Sequence, residues 1–226
     1  LNDILGEVYH KTFEKVKEDH VSLPLEYVPL LSGNTRSPHY KNAIYYLKKR
    51  GLSKIDILRY NIGYVESGEY SGMIVIPSYD EEGVVNYFVS RAFYETNYKH
   101  KNPKVSKDII GFDLLINWDK PINIFDAFAT GDNSIPLFGK ELPNRLIKKI
   151  INKCVKRINI ILDSDAMSAA IKHSEFFMGN GIEVHLIDLP DKDPSELGRE
   201  KVNELISNSK KLNFSKIMEY KLNAKY

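Results

Sequence analysis

The sequence has few of the features that mark secreted, disulfide-bonded or membrane-spanning proteins. Its 226 residues include one cysteine, Cys154, which excludes a disulfide framework and a cysteine-rich zinc site. No apolar run reaches the ~18 residues that a membrane-spanning helix needs, and no secretory signal peptide is visible. We therefore expect a globular protein that works in the cytoplasm and has no membrane partner.

A strong excess of charge of one sign is also missing. The 32 Lys and Arg residues nearly balance the 30 Asp and Glu residues, which leaves a net charge of +2. Any nucleic-acid surface must therefore be a local basic patch, since the chain is not basic overall. The sequence has no Gly-x-x-x-x-Gly-Lys loop, which excludes a nucleotide-binding motor of that type.

Helical patterns with clear end signals dominate the first third of the chain. Residues 2–19 can place their apolar side chains on one face of a helix, and residues 21–38 contain prolines and a Ser-Gly-Asn-Thr run that predict a loop or linker. A second helical pattern runs from Tyr40 to Arg50, with Gly51 as its C-terminal cap. Ser53 is a suitable N-cap for a short third helix over residues 54–60.

A β-hairpin and a basic loop follow. Residues 73–76 and 84–93 have strand patterns, and the turn residues 80–83 separate them. The loop after the hairpin interleaves cations with aromatic rings, a composition that suits phosphate contacts and base stacking along a single nucleic-acid strand. A solvated loop would have the same composition, and this alternative stays open. The residues concerned are Tyr94, Tyr98, Lys99, His100, Lys101, Lys104 and Lys107.

From residue 121 onward, short apolar runs alternate with helical patterns. Such alternation predicts a parallel sheet flanked by helices, so the fold class is α/β with a smaller α+β part before it. The predicted strands cover residues 122–124, 134–138, 158–162 and 183–189, and the predicted helices cover residues 126–130, 144–156, 166–178 and 202–220. On these helices we expect Cys154 to be a small core residue and His173 to lie at the surface.

Acidic residues follow three of the predicted strands. Strand ends of a parallel sheet share one edge, where ligands bind in α/β folds, so these carboxylates should converge there. Two carboxylates ~4 Å apart repel by about 4 kcal/mol at an effective dielectric of ~20. A hard divalent cation such as Mg²⁺ or Mn²⁺ removes that repulsion and would assist phosphoryl transfer, although a single Asp could simply cap a helix. The residues are Asp126, Asp163, Asp165, Asp191 and Asp193.

Several short motifs carry a resemblance to a known family. Leu162 to Ala166 (LDSDA), with Ala169-Ala170 and the later Asp193-Pro194-Ser195-Glu196, resembles the Toprim fold of bacterial-type primases, type IA and II topoisomerases and related nucleases. The preceding residues 46–53, 61–64, 74–77, 90–91 and 102–104 look like the start of a DnaG-like primase RNA-polymerase domain from a bacterium or phage. The resemblance covers roughly residues 40–197.

The resemblance implies roles for individual residues. It implies attack of a 3′-hydroxyl on an α-phosphate, with single-stranded DNA as template, NTPs as substrates and a replicative helicase as partner, in a bacterial cell or a phage-infected host. The implied catalytic residues are Asp126, Asp163 and Asp165, and the implied ligands for Mg²⁺ or Mn²⁺ are Asp163, Asp165 and Asp193. The implied template- and NTP-binding residues are Arg91, Lys101, Lys104 and Lys107.

The sequence departs from the family pattern at several positions. The family's Glu-Gly-x-x-Asp motif places a Glu four residues before Asp126, where Ile122 stands instead. We expect that a few residues that held the Glu are missing here, either through a gap in the sequence or through a deletion. If the sequence is continuous, the general base or metal-bridging role is lost. Ser78 replaces a usual Arg, and Ser195 replaces a frequent second Asp. The zinc module that usually accompanies primases is absent from this sequence.

We divide the chain into an N-terminal helix and linker (1–38), a basic α+β subdomain (39–119), a Toprim subdomain (120–198) and a C-terminal helix and tail (199–226). Phe112 and Trp118 are expected to pack at the junction of the two subdomains. Two other functions stay open: a Toprim enzyme that cleaves DNA, and a non-catalytic module that binds nucleic acid or a helicase.

Overall fold

The computed structural model describes residues 21–125, 132–138, 141–161, 167–187, 189 and 197–223. The predicted helices over residues 2–19 and 126–130 lie outside the described residues. Within the described residues, no helix is both long enough and apolar enough to cross a bilayer.

The N-terminal part is built on a four-stranded antiparallel sheet. Its strands are β1 (Tyr27–Pro29), β2 (Gly63–Val65), β3 (Met73–Tyr79) and β4 (Val85–Ala92), and they are adjacent in that order. Helices α1 (Pro38–Lys49) and α2 (Lys54–Arg59) contribute Ala43, Leu47 and Ile57 to the core on the sheet. The predicted hairpin and both helices are therefore confirmed, while the predicted loop over residues 21–38 contains the short strand β1.

The C-terminal part is built on a four-stranded parallel sheet. Strands β5 (Ile122–Phe125), β6 (Ser134–Pro136), β7 (Arg157–Ile161) and β8 (Glu183–Ile187) have the spatial order β6-β5-β7-β8. Helices α3 (Asn144–Asn152), α4 (Met167–Gly179) and α6 (Phe214–Asn223) supply side chains to the core on one face, and α5 (Arg199–Asn208) covers the other. The predicted α/β class with helices flanking a parallel sheet is confirmed.

One face of the parallel sheet combines apolar and polar rows. Asn123, Asn159 and His185 lie opposite one another across β5, β7 and β8, and all three are buried. The Asn159 amide donates to Oδ1 of Asn123 at 2.6 Å, and His185 Nδ1 lies 2.8 Å from the Ser209 hydroxyl. Buried polar groups are tolerated when they are hydrogen-bonded, and a one-residue slip of register would break this row.

Helix ends in both parts use the same C-terminal motif. After α1, α2, α3 and α4 one residue adopts a positive φ, and the next residue donates its backbone N–H to the carbonyl five residues back and packs into the core. The positive-φ residues are Gly51 (φ 76°), Asn61 (φ 46°), Cys154 (φ 51°) and Gly181 (φ 76°). The residues that follow them are Leu52, Ile62, Val155 and Ile182. The predicted capping role of Gly51 is thereby confirmed.

Two side-chain predictions were wrong. Cys154 is exposed, because α3 ends at Asn152 and the turn at Cys154 sends Val155 into the core in its place. His173 is buried, because α4 packs on the sheet and also against α6, so more than one of its faces is covered. Burial lowers the pKa of His173 despite the opposing effect of Glu141, whose Oε2 lies 3.5 Å from its Nε2.

The predicted helix over residues 202–220 is also wrong, because it is two helices, α5 and α6. Residues 209–213 between them are not helical, and the N–H of Leu212 donates to the carbonyl of Val184 at 2.8 Å. Leu212 is buried in the main core of the parallel sheet. A continuous helix could not make this edge contact with β8, since its backbone groups would be paired internally.

Candidate active site and nucleic-acid interface

The carboxyl ends of three parallel strands lie side by side at one edge of the sheet. Phe125, the last residue of β5, is opposite Ile161, the last residue of β7, and Ile161 is opposite Ile187, the last residue of β8. With strands ~4.8 Å apart, the three ends span about 10 Å. Each is buried, and they pack with Val202 of α5 in one cluster.

The predicted catalytic and metal-binding residues Asp126, Asp163, Asp165 and Asp193 lie outside the described residues. In the sequence, Asp126 follows Phe125 directly, and Asp163 comes two residues after Ile161. These residues are carboxylates, the oxygen donors that Mg²⁺ and Mn²⁺ prefer, so the donor chemistry fits a hard divalent cation. Among the residues that the structure describes, no group of three His, Cys, Asp or Glu side chains could hold a metal ion.

The connection from β5 to β6 is unusually short for parallel strands. β5 ends at Phe125 and β6 begins at Ser134, so residues 126–133, eight in all, make the crossover. A crossover between parallel strands normally takes a dozen residues or more. A crossover of this length agrees with the expectation that a few residues, including the family's Glu, are missing near Asp126.

The four predicted basic residues have different surroundings. Arg91 lies on β4, and Lys104 is exposed on the loop after it. Lys101 forms a solvent-exposed ion pair with Glu69, with an Nζ to Oε1 distance of 2.9 Å. Lys107 reaches the parallel sheet, where its Nζ donates to the carbonyl of Phe138 at 2.8 Å, two residues beyond the end of β6.

A cationic cluster on the N-terminal sheet includes residues that the sequence did not bring together. Residues 99–102 run along the end of β4, with His100 opposite Arg91 and the N–H of Ala92 donating to the carbonyl of Lys99 at 3.1 Å. Burial and the nearby charges of Arg91, Arg50 and Lys99 lower the pKa of His100. Arg50 follows α1, about forty residues earlier in the chain, so no local pattern could have predicted its place in this cluster.

The ammonium group of Lys149 forms two ion pairs across the junction between the two parts. The Nζ of Lys149, on α3, lies 2.6 Å from Oδ2 of Asp113 and 2.7 Å from Oε2 of Glu81, which belongs to the β3–β4 turn. Burial raises the pKa of Asp113, although its hydrogen bond with Lys149 opposes that rise. Burial alone would lower the pKa of Lys149, but hydrogen bonds with Asp113 and Glu81 raise it.

Aromatic packing completes the junction. Tyr87 of β4 packs against Phe138 with ring centroids 4.7 Å apart, and Phe112 lies 6.2 Å from Phe138 in an edge-to-face arrangement. Trp118 packs against the core of the parallel sheet, and Lys149 Nζ lies 5.2 Å from its ring centroid. The predicted role of Phe112 and Trp118 at this junction is confirmed.

Ser78 has a structural role at the position where the family usually has an Arg. It is fully buried, donates its hydroxyl proton to Oδ1 of Asn86 at 2.7 Å, and accepts from the N–H of Phe112 at 2.8 Å. Phe112 has a φ of 56°, so the hydroxyl satisfies a backbone donor at a sharp turn of the connecting segment. An Arg at this position would need the space that the Phe112 segment fills.

Solved structures that share this fold include bacterial primases. The DnaG primase catalytic domain bound to single-stranded DNA superposes with a TM-score of 0.66 at 16% identity, over 84% of this chain and 79% of that chain. The Aquifex aeolicus primase, solved with its zinc-binding and RNA polymerase domains, superposes with a TM-score of 0.64 at 20% identity, over 81% of this chain and 58% of that chain.

The RNA polymerase domain of Mycobacterium tuberculosis DnaG, in complex with double-stranded DNA that has a 6-nucleotide overhang, gives a TM-score of 0.66 at 13% identity, over 88% of this chain and 79% of that chain. The chain therefore has the Toprim-containing fold of DnaG primase catalytic cores, as its motifs predicted. Among curated sequences, the uncharacterized protein MG010 of Mycoplasma genitalium is 27% identical in an alignment 176 residues long, which covers 69% of this chain and 78% of that protein. No protein-family model matches the chain.

Proposed function

We propose that this protein is a DNA primase that synthesises short RNA primers on single-stranded DNA by metal-dependent nucleotidyl transfer during bacterial or phage replication. The observation that carries the proposal is the alignment of Phe125, Ile161 and Ile187 at one edge of a DnaG-type fold. Each of these strand ends is followed in the sequence by acidic residues. Carboxylates that leave adjacent parallel strands at one edge are suited to hold divalent cations against phosphate groups.

In this proposal Asp163, Asp165 and Asp193 hold Mg²⁺ or Mn²⁺, and Asp126 completes the acidic set. When bound, the metal neutralises charge on the phosphate oxygens as pyrophosphate leaves. The protein's own contribution is to hold the carboxylates at one sheet edge, where the adjacent buried strand ends limit their movement.

The template side of the proposed site is the cationic cluster of Arg50, Arg91, Lys99 and His100, extended by Lys104. Ammonium and guanidinium groups bind phosphates without reading bases, and the exposed ring of Tyr98 offers a surface for base stacking. Lys107 lies between this surface and the parallel sheet, because it contacts Phe138 at the sheet's edge. We assign template or NTP contacts to Arg91, Lys104 and Lys107, and a smaller contribution to the paired Lys101.

A non-catalytic binding module is the second candidate, and the eight-residue crossover after Phe125 favours it. Loss of the Glu would remove one metal contact while leaving the cationic surface intact. Such a protein would bind single-stranded DNA in a salt-dependent manner without turning over NTPs.

The test is primer synthesis on single-stranded DNA with labelled NTPs and Mg²⁺. The chain would be compared with Asp163→Ala, with a version that has Glu-Gly restored before Asp126, and with Asp119→Ala, an exposed control. Metal-dependent product that is lost in Asp163→Ala and kept in Asp119→Ala supports the proposal. If only the version with Glu-Gly restored makes product, the fold supports primer synthesis and the missing Glu-Gly explains the inactivity of this chain. DNA binding without product from either version would refute an autonomous primase and favour the binding module.

We extend the proposal to organisation and partners. The predicted boundary near residue 120 falls between the last strand of the antiparallel sheet and the first strand of the parallel sheet. We propose that these two parts are the template-binding and catalytic subdomains, and that a replicative helicase in the same cytoplasm is the partner. Co-migration with the replicative helicase of the same genome in size-exclusion chromatography would test the partner.

A further inference from the structure

An ion-pair network links helix α2 of the N-terminal part to two segments of the parallel-sheet part. Arg199, the first residue of α5, places Nη1 3.3 Å from Oδ1 of Asp56 and Nη2 3.4 Å from Oδ1 of Asp132. Arg59 Nη1 lies 3.8 Å from the same oxygen of Asp132. One guanidinium therefore connects α2 with two segments that are far apart in the sequence.

The acceptor on α2 is held rigidly. Asp56 is buried, and its Oδ2 accepts from the N–H of Ser53 at 2.8 Å and from its hydroxyl at 2.7 Å in the capping box of α2. Its other oxygen, Oδ1, is buried without a hydrogen-bond partner of good geometry and faces Arg199. The carboxylate is thus oriented by the helix start, and the charge of Arg199 compensates it.

Arg199 and its second partner, Asp132, stand next to the proposed catalytic loops in the sequence. Asp132 comes six residues after Asp126, and Arg199 comes six residues after Asp193. Arg199 and Asp132 are consequently the anchored far ends of the two connections that carry these carboxylates. A planar guanidinium can address two carboxylates with separate nitrogens, which the single ammonium of a lysine cannot do with the same geometry.

We infer that Arg199 is a positioning residue, which ties the connections holding Asp126 and Asp193 to the template-side subdomain through Asp56 and Asp132. The inference rests on the proposed function for what those carboxylates do, and it adds a residue that the primase motifs do not include. In this inference, the network fixes the position of the proposed metal-binding carboxylates relative to the proposed template-binding residues of the antiparallel sheet.

The experiment uses the full chain with Arg199→Gln, Arg199→Lys and the control Lys201→Gln. Lys201 lies two residues further along α5 and forms an exposed pair with Glu204 at 2.9 Å, so its loss removes a charge from the same helix without touching the network. The first readout is backbone hydrogen exchange in peptides covering residues 126–135 and 188–198. The second is the affinity for Mn²⁺ alone, measured by electron paramagnetic resonance.

We expect Arg199→Gln to accelerate exchange in both peptides and to weaken Mn²⁺ binding by roughly 3-fold, less than the ~10-fold seen for residues that hydrogen-bond metal ligands directly. Arg199→Lys should be intermediate, and Lys201→Gln should match the parent chain. If Arg199→Gln folds poorly, the comparison of Arg199→Lys with Lys201→Gln decides. Unchanged exchange in the two peptides, or an equal acceleration in all peptides, overturns the inference. Absence of Mn²⁺ binding by the parent chain would instead count against the proposed function, while the exchange data would still decide the role of Arg199.

Discussion

Replacing Lys149 with Met should destabilise the junction between the two sheets in a pH-dependent way. The ammonium of Lys149 lies 2.6 Å from Asp113, whose side chain is only 7% exposed, while the Lys149 side chain is 13% exposed. Met fills a similar volume but leaves the Asp113 carboxylate buried without its counter-ion. Its Oδ1 already has no hydrogen-bond partner among the described residues.

Removing one partner of a buried ion pair costs about 3–5 kcal/mol, and we take about 3 kcal/mol because Lys149 retains some solvent contact. At ~2–4 °C per kcal/mol for a chain of this size, the melting temperature at pH 7.5 should fall by about 6–12 °C. The pKa of Asp113 is already raised by burial, and it should rise further in Lys149→Met.

The sign of the pH dependence follows from that raised pKa. Between the unfolded and folded pKa values of Asp113, the folded state binds more protons, so stability falls as the pH rises through this window. The deficit of Lys149→Met should therefore be smaller at pH 5 than at pH 7.5. Thermal and urea unfolding at both pH values measure it, with Glu81→Gln as the control for the exposed partner of Lys149.

The double variant Asp113→Asn/Lys149→Met should recover much of the lost stability, because it removes the uncompensated charge. A deficit that is equal at pH 5 and pH 7.5, or a double variant no more stable than Lys149→Met, would refute this reasoning.

Three further predictions concern the junction and the cationic cluster. Ser78→Ala should lower the free energy of unfolding by about 1–3 kcal/mol because the N–H of Phe112 loses its acceptor, and an unchanged urea midpoint would contradict this. Gly111→Ala should cost about 1–3 kcal/mol, since its methyl group would lie 2.9 Å from the ring of Phe138, and a thermal shift below 1 °C would count against that packing. Burial and three neighbouring cations lower the pKa of His100. A bound phosphate would offset these positive charges and favour protonation of His100. Affinity for single-stranded DNA should therefore rise as the pH falls from 7.5 to 5.5. Fluorescence anisotropy at constant ionic strength measures this, and an equal rise in His100→Gln would exclude His100 as the cause.

The sequence was informative where local chemistry decides structure. The capping residues Gly51 and Ser53 predicted the end of α1 and the start of α2, because caps satisfy backbone groups within a few residues. The apolar runs predicted the parallel strands, because a strand covered on both faces needs apolar residues at almost every position. Cys154 and His173 were misassigned because one helix ends earlier than its pattern and another is covered on more than one face.

By itself, the sequence determined the fold class, the order of the parallel strands along the chain and the short acidic motifs that resemble a Toprim site. Only the tertiary structure decided that Arg50 joins His100, that Lys149 pairs with Asp113 and Glu81, and that Arg199 joins Asp56 to Asp132. These contacts connect residues that are tens of positions apart, so they depend on how the two sheets pack. Periodicity and capping act over a few residues and carry no information about such distant pairs.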